Sequence, residues 1–407
     1  MRLLILTQYY PPEIGAPQNR LHELAIRLQK YGIEVEVLTA LPNYPTMKIQ
    51  EEYRHGKKRE EEIDGIKVHR AYIFVSSSKH ILLRLLNYFS FVWTSYWRGR
   101  RLQKFDFIMV ESPPLFLGYS AMALAKSLDA RLIFNVSDLW PESAEKLGIV
   151  TNGSLLQMAY KLEAKCYQSA RLITGQTQGI VTDIQMRFPK KEVYWLPNGV
   201  NAAFYDPAKL TTSDFRTKNG FKPEDILFFY GGILGHAQGL EVILFAAQQL
   251  SDVNNIHFII QGSGPEKEKL IELKEKLQLV NVHFYQPVSK SEMPRILHAI
   301  DIALVPLKNL PLFQGAIPSK VFEALAMEVP LLLGVDGEAK RHFIDQAKAG
   351  WYFEPENAIE LATVIRSIVA NPEDIKRAGE NGRKYVSQHF NRDQIAASLY
   401  KRLSQLL

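Results

Sequence analysis

The chain's 407 residues ask for two or three domains, and with 46% hydrophobic and 23% charged residues it is neither disordered nor fibrous. A single cysteine, Cys166, excludes a disulfide framework or a multi-thiolate metal site and fits a reducing compartment. The net charge of +6 is uneven: residues 1–200 carry 26 Lys and Arg against 19 Asp and Glu, the remainder 23 against 24, so the first half is the one expected to meet something anionic.

The opening MRLLILTQYYPP has an apolar run only at 3–6 before Pro11 and Pro12, so no signal peptide is expected. Short β-branched runs then alternate with amphipathic stretches. Segments 3–6, 35–39, 67–72, 107–111, 132–136, 172–174 and 193–196 read as strands, with helices at 18–31, 115–128 and 155–169 among them. Lys57, Lys58 and Arg59, opposed by Glu60, Glu61 and Glu62, read as a solvated loop. Pro197-Asn198-Gly199 breaks the pattern. A second round has strands at 226–230, 257–261, 282–285, 302–305, 331–333 and 351–353, with helices at 240–250, 266–277, 293–299, 319–326 and 358–370 between them. The expectation is an α/β fold of two doubly wound, Rossmann-like domains facing across a cleft, at 1–200 and 201–387. A helix within 388–407 would pack back towards the first domain.

One segment of the basic half is unusual. Between His80 and Phe105, ILLRLLNYFSFVWTSYW carries one charge, Arg84, and ends in Arg98, Arg100, Arg101 and Lys104. A spanning helix needs about 20 apolar residues, so this one suits an anionic membrane surface instead, or the core of the first domain.

No P-loop, GxGxxG, HExxH or CxxC is present, so ATPase, dinucleotide and zinc fingerprints are absent. Three features suit an anion. Gly15 and Ala16 follow the first strand, where small residues admit a ligand to the backbone. Gly231, Gly232 and Gly235, with His236 and Gln238, follow strand 226–230, and Gly262-Ser263-Gly264-Pro265 repeats the idea or forms a tight turn. In Pro318-Ser319-Lys320-Val321-Phe322-Glu323, Pro318 is placed to begin a helix whose amides meet a diphosphate. Lys320 would add charge, and Glu323, one turn on, would accept from ribose hydroxyls; spacing alone equally allows a surface ion pair.

The motifs TQYYPPEIGAPQNRLHELAIRL, LPNYP, DLWPE (Asp138 to Glu142), PNGV, GGILGHAQGLE, GSGP and IPSKVFEALA stand in an order that resembles the retaining glycosyltransferases of the GT-B class, group 1 or family 4. Within it the chain is most similar to the O-antigen and capsule branch that includes N-acetylfucosaminyl (L-fucosamine) transferases. The resemblance implies a UDP-sugar donor, a polyprenyl-diphosphate-linked saccharide acceptor, no metal cofactor, no nucleic acid, and work at the cytoplasmic face of the membrane. It places Gly15 near the donor phosphate and Asp138 near the reacting sugar or acceptor. Gly232, Gly235, His236, Gln238, Gly262, Pro318, Ser319 and Lys320 would lie around the diphosphate, Glu323 on the ribose, and Ser289 near the base. Asp138, Lys320 and His236 are the catalytic candidates. Two departures stand out. The first of the family's two glutamates falls at Gly315, and His236 and Gln238 replace the Arg or Lys of many relatives, so a protonated His236 would favour activity in acid. A UDP-N-acetylglucosamine 2-epimerase-like enzyme and a non-catalytic assembly partner remain as rivals.

Overall fold

The computed structural model describes residues 1–407 apart from 14, 45–46, 57, 77–80, 149 and 211–212; the side chains of 16, 81, 82 and 84 are also outside the description, as are Lys57 and His80 among the residues singled out above. Two compact units result, one formed by Met1–Asn198 with Arg392–Leu407, the other by Gly199–Asn391.

The first unit runs β1 (Arg2–Leu6), α1 (Ala16–Lys30), β2 (Glu34–Ala40), β3 (Glu60–Ile63), β4 (Ile66–Ala71), α2 (Ile81–Gly99), β5 (Phe107–Ser112) and α3 (Leu117–Leu128). It continues with β6 (Arg131–Val136), α4 (Glu142–Lys146), α5 (Gly153–Ser169), β7 (Leu172–Gly175), α6 (Gln178–Arg187) and β8 (Val193–Trp195). The sheet order is β3-β4-β2-β1-β5-β6-β7-β8, parallel except where β3 meets β4. Alternation along β1 sends Leu4 and Leu6 into one core with Phe91, Leu124 and Phe134, and Leu3 and Ile5 into another with Leu21, Leu399 and Leu403. Both faces are therefore covered, as an apolar parallel strand requires. The second cover includes the C-terminal helix, Arg392–Ser404, whose Tyr400 stacks on Tyr31 at 5.3 Å.

One loop expected from the sequence is a strand. Glu60–Ile63 pairs antiparallel with β4 at the sheet edge. Glu60 and Glu62 are exposed as expected, but two of the carboxylates are also paired: Glu61 receives the Arg70 guanidinium and Glu60 meets Arg98 at 2.7 Å. Lys58 is paired in turn with Glu52.

The second unit holds β9 (Ile226–Ile233), α8 (Glu241–Gln249), β10 (Ile256–Ser263), α9 (Lys267–Lys276), β11 (Val282–Tyr285), α10 (Met293–Leu297) and β12 (Ile302–Pro306), after a short α7 (Phe215–Lys218). Then come α11 (Lys320–Ala326), β13 (Leu331–Gly334), β14 (Gly350–Tyr352), α12 (Ala358–Ala370) and α13 (Glu373–His389). All six strands are parallel, in the order β11-β10-β9-β12-β13-β14. Phe390, just past α13, is buried against Phe322 and Phe343, which keeps the chain in this unit until Asn391. Among the described residues, no helix is long and apolar enough to cross a membrane.

Candidate active site

In the second unit β9 and β12 are neighbours, but their onward connections leave in opposite directions. Ligands of open parallel sheets settle near such a reversal. A pocket lies there, lined by Phe229 and Gly231 of β9, Ala303 of β12, Met293 and Leu297 of α10, and Lys320 and Glu323 of α11. Lys320 and Glu323 share a wall because three residues make nearly one helical turn. The Lys320 ammonium lies 3.5 Å from the centroid of the Tyr230 ring. Burial of that ammonium draws its pKa down to about 7, with the Glu323 carboxylate pulling the other way. The residue as a whole is half-buried by area; its charged end is the enclosed part. The Tyr230 hydroxyl is engaged too, donating to the Ile233 carbonyl at 2.6 Å.

The helix carrying Lys320 begins one residue later than the sequence suggests. Ser319 occupies the N-cap position and Pro318 stands before it, rather than being the first helical residue. The Val321 N–H donates to the Pro318 carbonyl at 3.1 Å and that of Phe322 to Ser319 at 3.2 Å, a tight i+3 turn.

The glycine segment also differs. Gly231 and Gly232 continue β9 and pair with Gln261 and Gly262 of β10, so the loop begins only after Ile233. A Cβ on Gly262 would lie 1.8 Å from the Gly232 carbonyl oxygen, and φ is +144° at Gly232 and +152° at Gly262. Close strand approach at unfavourable φ is what requires glycine at both positions. Gly232 also abuts the site, since a Cβ there would stand 3.2 Å from Lys320 Nζ. Beyond it, Gly235 has an ordinary extended φ and precedes a short turn, His236–Gln238. A Cβ on Gly235 would lie 2.9 Å from Gln238 Oε1. His236 is exposed, and Lys308, two residues past β12, brings Nζ to 2.9 Å from its Nε2. An ammonium only donates, so that imidazole nitrogen accepts. The Lys308 amide also donates to the Ala237 carbonyl at 3.0 Å. Lys308 escaped sequence reasoning; its one signal is its place at the carboxyl end of a strand.

Ser289 is occupied elsewhere. Its hydroxyl donates to Glu292 at 2.6 Å within an exposed turn before α10, and this bond holds the Glu292 carboxyl below its usual range. The α10 residues in the pocket are Met293 and Leu297 instead.

In the first unit Gly15 stands immediately before α1, and a Cβ on it would come within 2.4 Å of Gln18 Oε1. Glu13, buried beside it, accepts the Asn43 and Tyr44 amides at 2.8 Å each, tying the loop after β1 to the one after β2. Asp138 follows β6 and accepts from the Ser143 hydroxyl at 2.6 Å. Burial raises its pKa, with the Ser143 bond opposing. Next to it is a buried polar cluster that sequence reasoning missed. Arg20 reaches Glu111 at 2.6 Å and Ser137 at 2.8 Å; Glu111 also receives Ser137 and Asn135, and Thr174 donates to Asn135 at 2.6 Å. The cluster joins α1 to the carboxyl ends of β5, β6 and β7, one residue before Asp138.

Comparison with known proteins agrees with this fold. A model described as "Glycosyl transferase 4-like domain" matches residues 15–199, and one described as "Glycosyl transferases group 1" matches 211–385. The chain is 27% identical over 404 residues to the putative colanic acid biosynthesis glycosyl transferase WcaI of Escherichia coli K12, covering 97% of this chain and 98% of that one. Among solved structures it is similar to Anabaena HepE in complex with UDP and glucose (TM-score 0.74, 16% identity, 100% of each chain). It is also similar to WaaG, a glycosyltransferase involved in lipopolysaccharide biosynthesis (TM-score 0.68, 17% identity, 98% of each chain). With both of its units matched in order, the chain belongs to the group 1 glycosyltransferases of the GT-B fold.

Proposed function

We propose that the protein transfers an N-acetylated sugar from a UDP-sugar to a polyprenyl-diphosphate-linked saccharide, retaining the anomeric configuration, during synthesis of a bacterial surface polysaccharide of the O-antigen or capsule type. The observation that carries this reading is the shared wall of Lys320 and Glu323 in the pocket between β9 and β12. An ammonium enclosed beside an aromatic ring is costly until an anion joins it, which is what a nucleoside diphosphate supplies. Lys320 then stabilises the charge growing on the departing diphosphate, with His236 beside it, and Glu323 accepts from the ribose hydroxyls. The loop at Gly235 and Gln238 and the turn at Pro318 and Ser319 complete the diphosphate site. Gly232 and Gly262 shape its floor, Gly15 leaves room at the donor phosphate, and Met293 and Leu297, in place of Ser289, flank the base. Asp138 orients the reacting sugar or acceptor, while the departing phosphate takes the proton of the attacking hydroxyl on the same face. The charge is met by side chains and amides, without a metal cofactor. Support for UDP comes from the HepE complex, and support for polysaccharide synthesis from the names of WcaI and WaaG. The enzyme works in the cytoplasm, at the inner face of the membrane where such an acceptor is held.

Calorimetric titration with UDP tests the reading. Lys320→Ala and Glu323→Ala are each expected to weaken binding more than tenfold, that is by at least about 1.4 kcal/mol. Wild-type affinity in both variants would remove the assignment.

A further inference from the structure

The helix α2 leaves several of its large apolar side chains exposed. Among its described residues the exposed positions are Leu86, Phe89, Trp93 and Trp97, followed just past its end by Arg100; the spacings of 3, 4, 4 and 3 residues make one stripe. Trp93 is 65% exposed, Leu86 54%, Phe89 43% and Trp97 40%. The opposite, buried stripe is Asn87, Phe91, Ser95 and Gly99. A soluble amphipathic helix turns its large apolar residues to the core and its small or polar ones outward; here Phe91 obeys that rule, while Asn87, Ser95 and Gly99 are buried and both tryptophans point outward.

The helix cannot roll to correct this. Asn87 donates to the Phe74 carbonyl at 2.5 Å, and the Ser95 and Ser120 hydroxyls bond at 2.8 Å. A Cβ on Gly99 would sit 2.8 Å from Leu124, so only this face fits against α3. The charge carried by α2 and α3 themselves is one-signed, and the Glu60 carboxylate that reaches α2 is paired with Arg98 at 2.7 Å. No Asp or Glu occurs from 81 to 105 or from 112 to 128, the stretches forming α2, its basic end and α3. Arg100, Arg101, Lys104 and Lys126 are exposed, and the Arg100 guanidinium lies 4.8 Å from the Trp97 ring centroid. Trp93 and Trp97 are themselves in edge contact, 5.8 Å between centroids. Indoles flanked by arginines, with Glu60 neutralised by Arg98, complement an anionic lipid headgroup layer.

We infer that the Leu86–Phe89–Trp93–Trp97 stripe of α2, with Arg100, Arg101 and Lys104, seats the first unit on an anionic bilayer, its indoles at headgroup depth. The purpose of this contact rests on the lipid-linked acceptor proposed above, while its physical basis does not.

The test is co-sedimentation of the full chain with vesicles of phosphatidylglycerol and phosphatidylcholine, against phosphatidylcholine alone. At least tenfold stronger partition to the anionic vesicles is expected, with a blue shift of tryptophan emission. Trp93→Ser/Trp97→Ser should lose at least tenfold of that partition, and Arg100→Gln/Arg101→Gln should lose the preference for anionic lipid, both with unchanged melting temperature. Should the tryptophan pair destabilise the fold, the arginine pair with the emission shift decides alone. A wild-type protein that stays in the supernatant overturns the inference. So does a stripe buried between two copies, seen as a dimer that the tryptophan variant converts to monomer without any vesicle binding. Vesicle binding in a protein that ignores UDP sustains the surface and sinks the proposed function; UDP binding without vesicle binding does the reverse.

Discussion

Two enclosed cations, Arg20 in the first unit and Lys320 in the second, are held in opposite ways. In the first, Arg20 and Glu111 are both less than a tenth exposed and meet at 2.6 Å, with Ser137 and Asn135 taking up further capacity of the carboxylate. Arg187 of α6, partly exposed, meets the buried Glu163 of α5 at 2.7 Å. In the second unit the enclosed ammonium of Lys320 rests on the Tyr230 ring, and burial makes its nitrogen easier to discharge although Glu323 opposes this. A charge buried with its partner is scaffold, and losing either member hurts the fold. A charge buried on an aromatic face strains the empty protein and favours an arriving anion.

Removing one member of each arrangement should separate the two cases sharply. Glu111→Ala leaves Arg20 enclosed and uncompensated, so a loss of about 3–5 kcal/mol is expected in urea unfolding of the first unit. A loss below about 1 kcal/mol would mean that Arg20 finds water, and that the cluster is not scaffold. Lys320→Met should behave in the opposite sense. Without UDP the melting temperature rises, by the equivalent of about 1–2 kcal/mol once the lost ring contact is discounted. With UDP present the order reverses, because the variant no longer gains from the ligand. A variant less stable than wild type in both conditions would place Lys320 among the scaffold charges.

The contrast was only half legible beforehand. Strand and helix order could be read because β-branched runs and helical periodicity are local properties, and Leu3 to Leu6 announce a strand buried on both faces. The Lys320–Glu323 pair was legible because helical spacing fixes which residues share a face. Arg20 was not, since it follows the first turn of an amphipathic helix like any solvated arginine, and its partner Glu111 is 91 residues away. The strand Glu60–Ile63 was hidden for a related reason: four residues, three of them glutamates, have no strand pattern until Arg70 and Arg98 neutralise Glu61 and Glu60. Likewise Gly231 and Gly232 looked like a loop, because glycine is rare in strands and the approach of Gly262 that demands it is a tertiary fact. The length of α2 was readable, but which of its faces pointed outward was set by Ser120 and Leu124 on another helix.

Acidity probes the second unit's arrangement most finely. Below pH 7 Lys320 is charged in both the folded and the unfolded chain, so the folded protein bears the whole cost of enclosing it. As pH rises from about 7 towards the free-lysine value near 10.4, the folded state has shed the proton and the unfolded state still holds it, so the UDP-free protein gains stability across that window. UDP binding has the opposite slope, because the diphosphate selects the protonated ammonium and must recruit a proton above pH 7. The affinity for UDP is therefore expected to fall about tenfold between pH 7 and pH 8.5, a range in which the nucleotide's own phosphates are already ionised. Calorimetry at pH 8 in buffers of different ionisation enthalpy should register uptake approaching one proton, and Lys320→Met should abolish both the uptake and the slope. An affinity that stays level across this range, with no proton taken up, would mean the ammonium is charged in the empty site as well. The two enclosed cations would then be held on the same terms.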